Sequence, residues 1–566
     1  MLEFINKNRK IFLGLIILLA VFLIFFRLDR ADMQTDDAIN SFRAIGYLDF
    51  MDANTQTTPV DWFETIPWWS KLSFHDAPPL VFILQFLTFK LFGISTFAAR
   101  LPFALAGLGS VILLYFVIKK LYNANIALLG SFILSILTYH IWASRVGYLE
   151  AVALFFILLT IYLFLLALNN PKYFILFGVS LGFTILTKYT TFFIIPVFFI
   201  YLFVVNKRLL INKYFIAAIL LAALMFSPVI FYNFKVFQAR GHFDLQFSRL
   251  LRQDISQDWP KFNDGQTDYA VNLIRVWDLR EMVSLPLVIL LVVCLIMIIY
   301  DSVLSWRNKK NFLLLLLLLF FTLEFSIIGT AVRFLSVIAP WVAMILALGI
   351  ISGYDLFIKG TNYQNLKTSG LILILILIFG FELFFNINTN LVIKPFGERG
   401  KYYSVNRLAN GGFNQLAEYL EANTDIASYS KTVINSRRDL VYSVSSLNGK
   451  DVYIFDPNLN WFSAKWYFSR WTVYHHILFT SATDLVASGV INEDNWFSFF
   501  GKLGVRNLYY LKGENDLLFT NHDLASPDQV SSANLAILFS RAGADTVSIT
   551  NLAGDQAFEV YKLKLN

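Results

Sequence analysis

Six ionisable residues lie where apolar runs of this sequence begin or end, and their types suit phosphate binding and proton transfer. They are the acids Asp36, Asp37 and Glu150 and the cations Arg145, Lys188 and Arg333. Ionisable groups at the ends of membrane spans are costly and are functional candidates by default. A cavity that gathers them would bind an anionic, amphipathic ligand through its cations and transfer protons through its carboxylates.

Each of these residues also has a structural interpretation. Arg145 and Glu150 could simply end two helices, and Arg145 and Arg333 could extend their charges to lipid headgroups. The pair Asp36 and Asp37 could cap the amphipathic helix that follows it. Lys188 separates two short apolar runs and could be the polar tip of a hairpin.

Four further residues are candidates for binding substrate or phosphate. His75 and Asp76 lie just before the Pro78-Pro79 pair, and Arg240 and His242 open a polar stretch at 234–283. A helix resting on lipid headgroups is the structural alternative for that stretch. The histidines show no metal-ligand spacing, so the sequence predicts no metal site.

Composition sets the class of protein. The chain has 566 residues, of which 57% are hydrophobic and 15% charged, and its mean hydropathy of +0.59 is typical of a polytopic membrane protein. The net charge of +7 lies in short basic clusters between apolar runs, a topology signal that does not favour nucleic-acid binding. A single cysteine, Cys294, excludes an intramolecular disulfide.

Apolar runs predict about eleven transmembrane helices, since a helix needs about 17 to 25 residues to cross the membrane. The predicted spans are 11–26, 101–118, 126–143, 151–168, 173–187, 189–205, 214–233, 285–300, 312–329, 334–352 and 369–386. Basic loops alternate with less basic ones, which predicts a cytoplasmic N-terminus in the plasma (inner) membrane and an uncleaved first span.

One apolar segment, 78–93, would invert every later loop if it crossed the membrane. We therefore predict an interfacial or re-entrant helix there, within a first outer loop at 28–100. A second large outer loop is predicted at 234–283. With this topology, all six ionisable residues named first fall at the outer ends of their spans.

The composition changes near residue 387. We predict a transmembrane domain at 1–386 and a soluble, extracytoplasmic α/β domain at 387–566. The patterns indicate a helix over 414–420, a strand over 451–455, a helix and strand joined by a turn within 499–511, and a final strand over 557–565.

Six short motifs occur in the order found in a known class of enzymes. They are Asp36-Asp37-Ala38, Ala77-Pro78-Pro79-Leu80, Ala99-Arg100-Leu101-Pro102, Ser144-Arg145 to Leu149-Glu150, Gly182 to Leu186-Thr187-Lys188, and Arg333-Phe334-Leu335 to Pro340. Over about residues 1–345 the chain resembles the lipid-linked sugar transferases of the GT-C membrane class. The protein O-mannosyltransferases and the lipid A aminoarabinose transferases are the most similar groups. This chain has Ala77 where many members carry a lysine.

The resemblance implies a polyprenyl- or dolichyl-phosphate sugar as donor, an unidentified protein, lipid or glycan as acceptor, and a GT-C fold. Asp36 matches the catalytic carboxylate of the family and would act as general base in an inverting displacement. Lys188, Arg333 and Arg145 would stabilise the leaving phosphate. No metal is expected to be obligatory, although the Asp36-Asp37 pair could bind a divalent cation. The alternative from another class is a lipid or glycolipid transporter or flippase.

The assignment of the base gives the first prediction. Replacing Asp36 with Asn removes the proton acceptor while keeping the size of the side chain. We expect D36N to abolish sugar transfer and to leave the amount of protein in the membrane unchanged, as measured by a transfer assay and by immunoblotting. An active D36N variant would disprove the assignment.

Overall fold

The computed structural model describes residues 8–53, 55–260, 269–304, 309–329, 333–400, 409–424, 434–440, 447–456, 459–487, 495–514 and 532–565. The chain divides into two compact units. The first unit comprises Met1–Leu28, Leu72–Ile255 and Phe262–Tyr402, and the second comprises Asp29–Lys71, Ser256–Lys261 and Tyr403–Asn566.

The first unit is helical throughout its described residues. Its α-helices are Arg9–Phe25, Leu80–Phe92, Thr96–Leu121, Ala124–Ile136, Thr138–Arg145, Leu149–Ala167, Phe174–Ile185, Ile194–Asn206, Lys213–Arg240, Leu245–Leu251, Tyr269–Arg275, Leu285–Leu304, Lys309–Ile328, Ala339–Phe357 and Gln364–Asn390. Short 3₁₀ helices are Pro171–Tyr173, Tyr189–Phe193, Lys207–Ile211, Val276–Glu281 and Phe334–Ile338.

Within the described part of the chain, seven helices are long and apolar enough to cross a membrane, or eight if one bent pair is counted as a span. Every predicted span coincides with a helix, but the predicted count of about eleven is not confirmed. Helix Arg9–Phe25 (17 residues) and the apolar segments Pro171–Ile185 and Leu285–Tyr300 are shorter than those seven helices. The segment predicted to be interfacial forms the 13-residue helix Leu80–Phe92, which is also too short to qualify.

Small residues let helices of the first unit approach each other closely. A Cβ added at Gly178 would lie 2.5 Å from the carbonyl oxygen of Ala218, in the neighbouring helix Lys213–Arg240. Only glycine, whose side chain is a hydrogen atom, therefore fits at position 178. Such close backbone packing is a common source of helix association in membranes, where the hydrophobic effect contributes little between helices.

The second unit contains a five-stranded mixed sheet. Its strands are β1 (Asp451–Phe455), β2 (Phe479–Ser481), β3 (Asn507–Gly513), β4 (Asp545–Thr550) and β5 (Gln556–Lys564), in the order β2-β1-β3-β5-β4. The pairs β1–β2 and β1–β3 are parallel, whereas β3–β5 and β4–β5 are antiparallel. In register, Tyr453 pairs with Phe479 and Tyr509, and the three rings stack at 4.3 Å and 4.7 Å.

Short helices complete the second unit. They are Thr35–Gly46, Pro59–Trp62, Phe413–Asn423, Trp461–Ala464, Arg470–His475, Ala482–Ala487, Trp496–Lys502 and Ser532–Arg541, with a π-helical turn at Lys465–Ser469 and 3₁₀ helices at Trp68–Lys71 and Arg437–Leu440. The elements predicted within 414–420, 451–455, 499–511 and 557–565 are therefore all present. The predicted domain boundary at 386/387 and the extracytoplasmic location of the second part stay predictions.

Part of the predicted first outer loop belongs to the second unit. Asp32 accepts hydrogen bonds from the backbone N–H groups of Gly411 (2.6 Å) and Asn414 (3.0 Å) at the start of helix Phe413–Asn423. The Tyr474 hydroxyl donates to the carbonyl of Phe42 at 3.0 Å. These bonds connect residues that are 379 to 432 positions apart in sequence.

The close packing at Gly178 gives the second prediction. We expect G178A to lower the free energy of unfolding by about 1–3 kcal/mol, because its Cβ would overlap a backbone carbonyl. Chemical unfolding in detergent micelles measures this change. G380A is the matched control, since a Cβ at Gly380 meets no atom within 4 Å. Equal stability of the two variants would contradict the prediction.

Candidate active site

Glu150 and Lys188 form an ion pair among the apolar helices of the first unit. The Nζ atom of Lys188 donates to Oε1 of Glu150 at 2.6 Å, and the two side chains are 16% and 3% exposed. Glu150 lies in the first turn of helix Leu149–Ala167, and Lys188 lies just before the 3₁₀ helix Tyr189–Phe193. The fold thus joins two residues that are 38 positions apart in sequence.

Phe334 brings a second cation to this pair. Lys188 Nζ lies 3.9 Å from the centroid of the Phe334 ring, and the Arg333 guanidinium carbon lies 5.0 Å from the same centroid. A cation over an aromatic face is stabilised by the negative face of the ring. We call Glu150, Lys188, Arg333 and Phe334 the ion-pair site.

Helix geometry adds positive potential to the ion-pair site. Glu150 begins one membrane-spanning helix, Lys188 precedes the span Tyr189–Ile211, and Arg333 precedes the span Phe334–Phe357. The N-terminus of a helix carries partial positive charge from its unpaired N–H groups. Lys188 pairs with the carboxylate of Glu150, Arg333 shares the Phe334 ring with Lys188, and all three charged residues lie at helix starts. Cations and helix N-termini are groups that bind an anion such as phosphate.

The sequence analysis missed a second carboxylate near this site. Glu324, in helix Lys309–Ile328, lies near the Thr190 side chain and within electrostatic range of Lys188 and Glu150. The signal was present in the sequence, because a single acidic residue inside a leucine-rich span is costly and marks a functional or pairing site.

Arg145 has a structural role. Its Nη1 atom donates to the carbonyls of Leu23 (3.0 Å) and Ile24 (2.8 Å), and its Nη2 atom donates to the carbonyl of Arg27 (3.1 Å). These carbonyls lie at the end of helix Arg9–Phe25, where intrahelical partners are lacking. The guanidinium therefore caps the first helix.

His75 and Asp76 lie in the loop before helix Leu80–Phe92. His75 is fully buried, with Nδ1 at 3.7 Å from Oδ1 of Asp76, and its carbonyl accepts from the backbone N–H of Leu245 at 2.7 Å. This last bond connects the loop to the stretch that carries the other two candidates. Arg240 ends helix Lys213–Arg240, and His242 is buried two residues later.

Asp244, within the polar stretch 234–283, is the centre of this second region. Its Oδ2 atom accepts from the Tyr189 hydroxyl (2.7 Å) and from Asn233 Nδ2 (3.0 Å), and its Oδ1 atom accepts from the backbone of Phe247 (2.9 Å). Burial raises the pKa of Asp244 above its usual value, although these hydrogen bonds act in the opposite direction. Tyr189 directly follows Lys188, so the network is adjacent to the ion-pair site.

Asp36 and Asp37 lie in the second unit, in the first turn of helix Thr35–Gly46. Asp37 is buried and Asp36 half-buried. Gln34 is the N-cap residue of this helix, so the acids follow the cap position. The positive, N-terminal end of the helix dipole stabilises the negative charges of the two acids. Their predicted catalytic role stays a prediction.

The ion pair gives the third prediction. We expect E150Q or K188M alone to lower the free energy of unfolding by roughly 3 kcal/mol, because each removes the direct partner of a charge that lies largely out of water. The double variant should lose less than the sum of the two. Chemical unfolding in detergent micelles completes the double-mutant cycle, and additive losses would contradict a direct interaction.

A matched control is available for this cycle. Lys359 forms an ion pair with Asp355 at 3.1 Å, but the two side chains are 64% and 50% exposed. We expect K359M to change the stability by less than about 1 kcal/mol, because water screens exposed ion pairs.

Part of this chain is similar to known proteins. Residues 76–232 match the model of the family described as dolichyl-phosphate-mannose-protein mannosyltransferase. "Putative mannosyltransferase YkcB" of Bacillus subtilis is 29% identical over 168 residues, and "Putative mannosyltransferase YycA" of the same organism is 31% identical over 84 residues. These alignments cover 28% and 15% of this chain but only 23% and 12% of the relatives.

A solved structure resembles the whole chain. The crystal structure of ArnT from Cupriavidus metallidurans in the apo state superposes with a TM-score of 0.51 and 12% identity, covering 98% of both chains. At this identity the likeness concerns the fold alone. The resemblance predicted from the motifs is thus confirmed, since residues 76–232 match the model of the dolichyl-phosphate-mannose-protein mannosyltransferase family.

Proposed function

We propose that this protein is an integral membrane glycosyltransferase that moves a sugar from a polyprenyl-phosphate donor to an acceptor on the extracytoplasmic face. The observation that carries the proposal is the buried ion pair between Glu150 and Lys188, which lies within the stretch that matches the mannosyltransferase family. A charged pair among apolar helices is costly to maintain and is expected where function requires it.

The proposed chemistry is a single displacement at the anomeric carbon. Asp36 removes the proton of the acceptor hydroxyl, and the acceptor oxygen forms a bond to the anomeric carbon from the face opposite the phosphate. The bond between that carbon and the phosphate oxygen breaks, and the electron pair leaves with the lipid phosphate. Configuration at the anomeric carbon is therefore inverted.

Lys188 and Arg333 are proposed to stabilise the departing phosphate. Both cations lie against the Phe334 ring, so they occupy defined positions before the donor binds. Charges placed in advance, in a site with little water, stabilise a developing negative charge more than mobile solvent does. Glu150 holds Lys188 in place, and a phosphate would compete with Glu150 for its ammonium group.

The remaining candidates are assigned supporting roles. His75, Asp76, Arg240 and His242 are proposed to contact the sugar or the phosphate, and Asp37 to assist Asp36. Arg145 ranks below Lys188 and Arg333 as a phosphate ligand, because backbone carbonyls already engage both of its terminal nitrogens.

The description of the matching family makes mannose the first sugar to test. The acceptor in this proposal is a protein, lipid or glycan. We propose that no metal is obligatory, since the leaving group is a monophosphate and two cations are available to it. The proposal also includes a location in the plasma membrane with a cytoplasmic N-terminus. It includes no role in nucleic-acid binding.

The test is a transfer assay in proteoliposomes. The purified protein receives undecaprenyl-phosphate mannose with a radiolabelled sugar, and a bacterial envelope extract supplies acceptors. We expect the label to leave the lipid fraction, and K188M to slow this release by about 10²-fold, the usual effect of removing one transition-state donor. K359M is the control and should retain activity.

Donors that carry glucose, galactose or aminoarabinose are assayed in parallel, so that a negative result with mannose alone does not decide the test. Label that crosses the bilayer but stays attached to the lipid would instead establish a flippase. If no donor loses its sugar to the extract, the proposal is wrong.

A further inference from the structure

Three polar residues form a stripe along the last apolar helix of the first unit, Gln364–Asn390. Glu382, Asn386 and Asn390 are spaced by four residues and therefore lie on one face of the helix. Their exposed fractions are 0%, 0% and 4%, so the stripe faces the interior. We call these three residues the polar stripe.

The polar stripe lies against a break in another helix. Helix Ala124–Ile136 ends before Leu137, whose backbone is extended, and helix Thr138–Arg145 continues at an angle of 60°. A break of this kind leaves backbone N–H and C=O groups without their intrahelical partners. Among apolar helices such groups must find other partners, because water does not supply them there.

The polar stripe supplies those partners. Oε1 of Glu382 accepts from the backbone N–H of Thr138 (3.0 Å) and from its hydroxyl (2.6 Å). Asn386 Nδ2 donates to the carbonyl of Ile136 at 2.7 Å, and Asn390 Nδ2 donates to the carbonyl of Thr138 at 3.2 Å. Asn390 also donates to Oδ1 of Asn386 at 2.9 Å, which ties the stripe together.

Glu382 engages a second helix start with its other oxygen. Oε2 accepts from the backbone N–H of Ser284 at 2.8 Å, just before helix Leu285–Leu304. One carboxylate thus lies at the N-termini of two helices, where a negative charge is favoured. It connects three separate helices at a single point.

The bent helix contacts the elements that carry the ion-pair site. Thr138–Arg145 packs against helix Leu149–Ala167, which carries Glu150, and against Phe334–Ile338, which carries the ring shared by both cations. The direction of this short helix therefore affects the distance between the carboxylate and the cations. A change in the bend angle would move the Glu150 carboxylate relative to Lys188 and Arg333.

We propose that Glu382, Asn386 and Asn390 are positioning residues for the glycosyltransferase reaction. They hold the 60° bend and thereby the spacing of Glu150, Lys188 and Arg333. The inference rests on the proposed function for its catalytic part, whereas the bend itself is testable without any substrate. None of the three side chains is assigned a contact with substrate.

The kinetic test uses N386L, N390L and E382Q in proteoliposomes with undecaprenyl-phosphate mannose, or with whichever donor the wild type turns over. We expect kcat to fall by tenfold to a hundredfold, on the order expected for a displacement of about 1 Å in an active site. KM for the donor should change much less, because none of the three side chains is assigned a contact with the substrate. N388A is the matched control, since Asn388 lies on the same helix but donates to the carbonyls of Phe396 and Glu398.

The structural test measures the bend directly. The C294A substitution removes the single native cysteine. Spin labels are then attached at N125C and V146C, at the two ends of the broken helix. The wild-type background should give one narrow distance distribution, and N386L and N390L should broaden or shift it. N388A should leave it unchanged.

The outcomes separate the two proposals. An unchanged distance distribution overturns the inference, even if no donor is turned over. A changed distribution with kcat equal to the wild type also overturns it, because the stripe would then have a structural role only. A lower melting temperature with unchanged kcat of the folded protein leads to the same conclusion. A wild type that turns over no donor refutes the proposed function, and the distance measurement still decides whether the stripe holds the bend.

Discussion

Charges and backbone polar groups inside an apolar protein must be paired, and this constraint accounts for much of the first unit. Moving an ion out of water costs several kcal/mol even after the protein relaxes. Glu150 and Lys188 meet this cost together, with a 2.6 Å contact and an aromatic ring beneath the ammonium group. Both residues lie at helix starts, so the helix packing that brings the starts together also creates the site.

The same constraint explains the polar residues that lie away from the ion-pair site. Glu382 is fully buried and accepts hydrogen bonds from two helix starts, and Arg145 donates to the carbonyls that end the first helix. Asp244 accepts three hydrogen bonds from groups on either side of it. In each case a polar side chain compensates backbone or side-chain groups that a purely apolar neighbour would leave unsatisfied.

The two-unit organisation changes how the predicted loops are understood. Residues 29–71, which the charge pattern groups with an outer loop of the membrane domain, belong to the same compact unit as the C-terminal sheet. Asp32 caps helix Phe413–Asn423, and the Tyr467 hydroxyl accepts from the backbone N–H of Met33 at 3.0 Å. The helix that carries Asp36 and Asp37 is thus built into the α/β unit, which gives that unit a direct connection to the proposed base.

The sequence by itself determined the class of protein, the approximate positions of the predicted apolar helices, three of the five strands described in the sheet and the family resemblance. These depend on composition, hydrophobic periodicity and short motifs, which are local properties of the chain. Glu150, Lys188 and Arg333 were also predictable as candidates, since ionisable residues next to apolar runs stand out. Their pairing was not, because 38 and 145 residues separate Lys188 from its two neighbours.

Only the tertiary structure decided which polar residues serve the site and which serve the fold. Arg145 and Lys188 look alike in sequence, yet one caps a helix and the other forms the ion pair. Partners far away in the chain determine the roles of Glu324, Asp244 and the polar stripe. The sequence also could not predict that residues 29–71 and the sheet belong to one compact unit. Hydropathy and loop charge indicate whether a segment lies in lipid or in water. Long-range hydrogen bonds and packing determine which segments fold together.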